Sequence, residues 1–378
     1  MADVFIVSAM RSPLGRRRGM YAGMLPVDLA APVLQAAVER AGVAPAQVED
    51  VILGCVTPMG EQGANIGRLA VLKAGWPVEV PAVTINRMCG SSQQAIHFAS
   101  QAILAGDMDV VVAGGVEHMT RVPMGSDYPP TWPDLPYDLV PQGVSAEMMA
   151  AKWDIPRAAL DLFSYESHVK AARATQEGAL ANEIVPLSVP DGGSGRRTVA
   201  IDEGIRFDAS LDKIASLKPA FKEDGVITAG NSSQISDGAA AVVLASDAAV
   251  RRLGLQPLAR VITRVVVGDD PVLMLAGVIP ATRKALQRAG LTADDIDIFE
   301  VNEAFSSVVL AWMQEIEPDP SRVNPHGGAI ALGHPLGASG ARIMSTLVHG
   351  LRRRGLRRGL QTMCIGHGMA TATIIETV

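Results

Sequence analysis

Residues Asn324 to Gly340 (Asn-Pro-His-Gly-Gly-Ala-Ile-Ala-Leu-Gly-His-Pro-Leu-Gly-Ala-Ser-Gly) combine two histidines, His326 and His334, with a concentration of glycines. Glycine costs backbone entropy in helices and strands, so this stretch reads as loop backbone held close to something else. Ala341 to Leu351 then shows apolar residues at helical spacing, which puts Gly337 to Gly340 near a helix N-terminus, where free N–H groups can face an anion or a developing oxyanion. A second reactive residue, Cys89, lies between strand-like Ala82 to Ile85 and the small polar run Gly90-Ser91-Ser92. A thiol at such a strand-to-helix elbow has its thiolate favoured by the helix dipole and unpaired amides, as a nucleophile requires. On its own residues Cys89 could equally be a small core hydrophobe. The same two readings are open for Cys364, and His334 could be a loop histidine satisfied by backbone.

The elements that must position these residues read as alternating strands and helices. Asp3 to Ala9 is a β-branched run, Leu29 to Ala41 a helix closed by Gly42, and Val48 to Leu53 a second strand, which implies a parallel sheet. Arg40 to Val51 and Arg288 to Phe299 share one pattern of helix, glycine cap, turn and strand. Further along, Cys89 opens a helix followed by strand Val110 to Ala113, and His334 opens a helix followed by strand Leu360 to Ile365. The chain is therefore read as a duplication in which Cys89 and His334 hold equivalent places, with a site where the two copies meet. The expected divisions are residues 1–118 plus about 230–256 for the first half, 119–229 for an inserted loop or cap, and 257–378 for the second half.

Composition narrows the function classes. With 378 residues, 48% hydrophobic and 19% charged, the chain can bury a large core. A formal charge of -6 gives no basic field for nucleic acid, and Arg352-Arg353-Arg354 with Arg357-Arg358 reads as a solvated helix end. No apolar stretch is long enough for a membrane span, and a cytoplasmic location is expected. Three dispersed cysteines make neither a disulfide framework nor a metal site, and Cys55 reads as core.

Five separated motifs, Asn86 to Ser92, Gly114 to Thr120, Asn302 to Phe305, Gly327 to Pro335 and Cys364 to Gly368, closely resemble those of thiolases, the acetyl-CoA acyltransferases, and stand in the family's order. The resemblance implies an α/β thiolase fold: two βαβαβαββ halves packed as a five-layer αβαβα sandwich with an inserted cap. It also implies thiolytic cleavage of 3-ketoacyl-CoA, or the reverse Claisen condensation, by a ping-pong route, as in fatty acid β-oxidation. Cys89 would be acylated, His334 would help form its thiolate, and Cys364 would be the acid/base. Asn302 would hold a water beside His334 at the enolate oxygen, and the amides of Cys89 and Gly366 would form a second oxyanion site.

The family's coenzyme A contacts fall on Arg206, Phe221, Ala229, Ser233 and Phe305, and an acyl contact on Met274. Coenzyme A and acyl-CoA are then substrates, with no permanently bound cofactor or metal, and a homodimer or homotetramer is implied. Two related readings are weighed. A decarboxylating ketoacyl synthase would lack the second cysteine, and a non-catalytic acyl-CoA-binding relative would tend to lose Cys89. Departures from the family's pattern occur at Gln142 to Glu147 in the cap, at His326 in place of asparagine and at His367 in place of glycine. Both histidines are expected beside the reactive centre, where they would shape the pH profile.

Overall fold

The computed structural model describes residues 3–193 and 195–378. Its first half runs β1 (Val4–Arg11), α1 (Pro26–Ala41), β2 (Asp50–Gly54), α2 (Ile66–Lys73), β3 (Ala82–Ile85), α3 (Ser91–Ala105), β4 (Val110–His118) and, after a long excursion, β5 (Ser236–Ser246). The excursion carries α4 (Gln142–Lys152), α5 (Arg157–Gln176) and the small hairpin Leu187–Pro190 with Arg196–Val199. The second half follows as β6 (Ala259–Gly268), α6 (Val278–Ala289), β7 (Ile298–Val301), α7 (Ser306–Ile316), α8 (Ser339–Arg354), β8 (Arg358–Ile365) and β9 (Met369–Thr377).

Strand order exposes the duplication. The sheet reads β7-β8-β9-β6-β1-β5-β4-β2-β3. From the centre outward, β1-β5-β4-β2 mirrors β6-β9-β8-β7 in both order and direction. β2 pairs in parallel with β3 and β4, while β4–β5 and β5–β1 are antiparallel; β7–β8 is parallel, while β8–β9 and β9–β6 are antiparallel. The second half has a counterpart of β3 in a single parallel bridge between Phe299 and Val323. Within the sheet the halves join where Phe5 and Ile6 pair with Arg260 and Ala259.

Burial assigns the layers. One core cluster packs α1 and α2 on one face of the first half, and another packs α6 and α7 on the second half. Between them a third cluster draws residues from both halves around Ala95, Ile96, Ala99 and Ile103 of α3 and Ala341, Met344, Leu347 and Val348 of α8. The order is therefore helix, sheet, helix, sheet, helix, with α3 and α8 in the middle. Every residue of β4 and β5 is buried, as strands covered on both faces require. This places the N-termini of α3 and α8 together, and both reactive stretches precede those N-termini.

Candidate active site

Cys89 sits on the turn between β3 and α3. Met88 takes a left-handed φ of 45°, a conformation a non-glycine residue holds only when its surroundings fix it. Four hydrogen bonds do so. Asn86 Oδ1 accepts from the Met88 amide at 2.7 Å, and Asn86 Nδ2 donates to Val56 O at 2.8 Å. The Arg87 amide donates to Ser91 Oγ at 2.9 Å, and that hydroxyl donates to Met88 O at 2.6 Å. The small polar residues seen in the sequence thus build the elbow. Burial pushes the Cys89 thiol up to about 11. Donation from the Gln142 side chain and from the amides of Cys89 and Gly366 opposes this without overcoming it.

His334 is buried at the end of the glycine-rich loop. Gly333 before it has φ 118°, and a Cβ there would lie 2.3 Å from Ser236 Oγ, so only glycine fits. The His334 Nδ1 lies 2.6 Å from Ser339 Oγ, which gives its own proton to Pro335 O at 2.8 Å. Ser339 therefore accepts from Nδ1–H, and Nε2 carries the lone pair. Asn302 Nδ2 lies 3.4 Å from that Nε2. Burial, followed by the charge of Arg342, lowers His334 to about 3, so its resting imidazole is neutral.

Two buried carboxylates hold the loop at its two ends. Glu303 accepts from Asn324 Nδ2 at 2.9 Å, from the Ile330 amide at 3.2 Å and from Ser167 Oγ at 2.7 Å. Glu117 accepts across the two halves from the Gly337 amide at 2.8 Å and, within its own half, from the amides of Val56 and Thr57 and from Gln62 Nε2. A Cβ on Gly337 would lie 2.7 Å from Glu117 Oε2 and 2.8 Å from the backbone at Cys55 and Gly54. Neither tethering role was legible in the sequence, where Glu117 and Glu303 appear only as members of the thiolase-like motifs.

Cys364 ends β8, facing the same space. Burial raises its thiol, the charge of a Cys89 thiolate would raise it further, and Asn302 opposes both by hydrogen bonding. Asn302 Oδ1 is buried and has no partner among the described residues, leaving an acceptor free for a water or substrate. The site thus gathers a nucleophilic sulfur, a neutral imidazole with a free lone pair, a second thiol and an amide touching the last two. That set can form a thioester and move a proton at an adjacent carbon.

The remaining expected residues separate. Gly366 supplies its amide toward Cys89, but a Cβ there would lie 2.8 Å from Met88 Sδ and 3.3 Å from Gln142 Nε2, so the crowding lies within the chain itself. Gln142, the first residue of α4, is a neighbour of both Cys89 and Gly366 that sequence reasoning noted only as a departure. Arg206 borders an open cavity of about 560 Å³ with Arg16, Phe207 and Gln234. Phe221 stacks edge-on against Phe305 at 5.9 Å, near Ser233, whose amide donates to Ala304 O at 2.9 Å. Ala229 is exposed, and Met274 is buried in the second-half core with Phe305.

His367, at φ 61°, packs edge-on against Trp132 at 5.8 Å. His326 does not lie beside the reactive centre. Positive φ values at Asn324 (43°) and Gly327 (74°) turn the chain so that its ring packs against Gly350 of α8 and borders a cavity with Arg173, Arg353 and Arg354. Cys55 is buried as expected, with its Sγ 3.8 Å from Glu117 Oε1.

With this geometry in hand, comparison with known proteins is direct. The family description "Thiolase, N-terminal domain" matches residues 4–248, and "Thiolase, C-terminal domain" matches residues 255–377. A steroid 3-ketoacyl-CoA thiolase of Mycobacterium tuberculosis is 46% identical, the alignment covering 100% of this chain and 94% of that one. An acetyl-CoA acetyltransferase of Chromobacterium violaceum is 44% identical over 99% of each chain. Among solved structures, the Bacillus anthracis acetyl-CoA acetyltransferase superposes with a TM-score of 0.93 at 39% identity, covering 100% of this chain and 99% of that one.

Proposed function

The chain belongs to the thiolase family over both of its domains, and from that premise we propose that it cleaves 3-ketoacyl-CoA with coenzyme A, or runs the reverse condensation, through an acyl thioester on Cys89. The observation that carries this reading is Asn302, whose side chain reaches both His334 and Cys364 while Cys364 responds to charge on Cys89. In the cleavage direction His334 Nε2 takes the Cys89 proton as the sulfur attacks the 3-keto carbon. The protonated ring is then a donor to an oxyanion, as are the amides of Cys89 and Gly366. The C2–C3 bond breaks, and Cys364 protonates the enolate to give acetyl-CoA. The thiol of coenzyme A then gives its proton to the Cys364 thiolate and attacks the acyl-Cys89 thioester, releasing the shortened acyl-CoA. The first half-reaction replaces the C2–C3 bond by the Cys89 thioester; the second exchanges that thioester for one on coenzyme A as His334 returns its proton to the Cys89 sulfur, so the acyl-enzyme is not a deep trap.

In this reading Arg206, Phe221, Ala229, Ser233 and Phe305 contact coenzyme A and Met274 backs the acyl site. The chain would act as a homodimer or homotetramer. Edge strand β3, with Val83 exposed beside Leu69 and Leu72 of α2, offers unpaired backbone to a second copy. The test is thiolysis of acetoacetyl-CoA and of a longer 3-ketoacyl-CoA by the wild type and by Cys89→Ala. Turnover by the wild type and its loss in the variant are expected, and full activity of the variant would remove this mechanism.

A further inference from the structure

Behind the catalytic loop, on the side away from Cys89, lies a cavity of about 270 Å³ bordered by Arg173, Arg353, Arg354, Glu177 and His326. It shares no residue with the cavity at Arg206. Three arginines against one glutamate leave two positive charges uncompensated. Glu177 pairs with Arg353 at 3.8 Å, Arg353 also donates to Glu177 O at 3.4 Å, and the charges of Glu300 and Glu177 act on Arg354 without forming an ion pair. The guanidinium groups of Arg173 and Arg354 have no ion pair among the described residues, and each makes protonation of His326 harder.

Arginines in the last turns of α5 and α8 offset the helix dipoles, but each helix end supplies only about half a negative charge. That leaves roughly one positive charge without a partner. The second observation is His326. It is only 5% exposed, it borders the cavity, and its Nδ1 is buried with no hydrogen-bond partner among the described residues. That Nδ1 edge of the ring lies against Gly350 of α8, so the ring meets an occupant of the cavity through Nε2.

We propose that this cavity is a binding site for a phosphate group, held by the guanidinium groups of Arg173 and Arg354 with the His326 ring beside it. Guanidinium forks match phosphate oxygens in pairs, and an anion answers the surplus positive charge. His326 belongs to the loop that ends in His334, and two residues before it Asn324 is tied to Glu303. Occupancy would therefore brace the start of the catalytic loop. Free phosphate and the terminal phosphate of a nucleotide share this chemistry.

The test uses the full chain, titrated calorimetrically with inorganic phosphate and separately with adenosine monophosphate, at ionic strength matched with chloride. Binding with one site per chain is expected, weakened at least tenfold in Arg173→Gln/Arg354→Gln and also weakened in His326→Asn. The thermal midpoint of the wild type should rise with phosphate and that of the double variant should not. Tighter binding of one probe identifies the source. Equal binding by the double variant, displacement of phosphate by coenzyme A, or an equal midpoint rise with chloride alone would overturn the proposal.

Discussion

Replacing Glu117 by glutamine tests how the two halves hold the catalytic loop. The carboxylate meets donors only: Oε2 takes the amides of Val56 and Gly337, each at 2.8 Å, and Oε1 takes the Thr57 amide at 3.2 Å and Gln62 Nε2 at 2.9 Å. Glutamine keeps the shape but turns one oxygen into a donor, so two buried donors lose their acceptor whichever way the amide sits. Gln62 cannot rotate in compensation, because its Oε1 accepts from the His118 amide at 2.6 Å and its Nε2 also donates to Thr57 O at 2.8 Å. Each unsatisfied buried donor costs about 1–3 kcal/mol, so Glu117→Gln should lose roughly 2–6 kcal/mol. At an unfolding entropy of about 2.1 cal/mol/K per residue, that loss lowers the thermal midpoint of a chain this size by roughly 3–8 °C.

Part of the loss falls on the amide of Gly337, three residues from His334. A displacement of the catalytic imidazole by about an ångström costs on the order of a hundredfold in kcat. The assay is calorimetric melting together with steady-state thiolysis of acetoacetyl-CoA. A midpoint within one degree of wild type together with unchanged kcat would show that Glu117 is not the tether described.

Other perturbations probe separate parts of the site. With the Cys89 thiol near 11, alkylation of the free enzyme by iodoacetamide should rise about tenfold per pH unit between pH 7 and 10; a plateau near neutral pH would mean a resting thiolate. His97 is buried with its Nε2 2.7 Å from Thr373 Oγ1, and burial lowers it to about 3. Its folded pKa lies below the unfolded value, so its full stability is present above about pH 6.5 and is lost as the pH falls. The loss amounts to roughly 2 kcal/mol between pH 6.5 and 4.5. His97→Gln should flatten the fall of the thermal midpoint over that range, and an unchanged slope would assign the acid lability elsewhere. His367→Gly removes a left-handed non-glycine residue, whose strain is of order 1–3 kcal/mol, together with the Trp132 contact. It should change the pH–rate curve of thiolysis, and an identical curve would exclude His367 from the chemistry.

What the sequence made legible were features with a local signature. The Cys89 elbow shows itself in a strand followed by small polar residues, because those same residues supply the bonds that hold Met88. The duplication shows itself in two helix, glycine, turn and strand patterns, because β1–α1–β2 and β6–α6–β7 repeat them. Glu117 and Glu303 escaped because their partners are mostly main-chain amides brought from distant segments, and no side-chain pattern marks such a tether. His326 was misplaced because its direction depends on the φ angles of Asn324 and Gly327, which residue types alone do not give. The net rise of the Cys89 thiol was not legible because a helix N-terminus is visible in sequence, whereas burial of the sulfur is set by the packing of both halves.

The central claim is that Cys89 carries the acyl group between substrates. Mass spectrometry of the enzyme quenched during incubation with acetyl-CoA, followed by peptide mapping, tests it directly. The account predicts one acetyl group per chain, on the peptide containing Cys89, removed by added coenzyme A. An acetyl group on Cys364 or Cys55 instead, or none on Cys89 while the enzyme turns over, would contradict it.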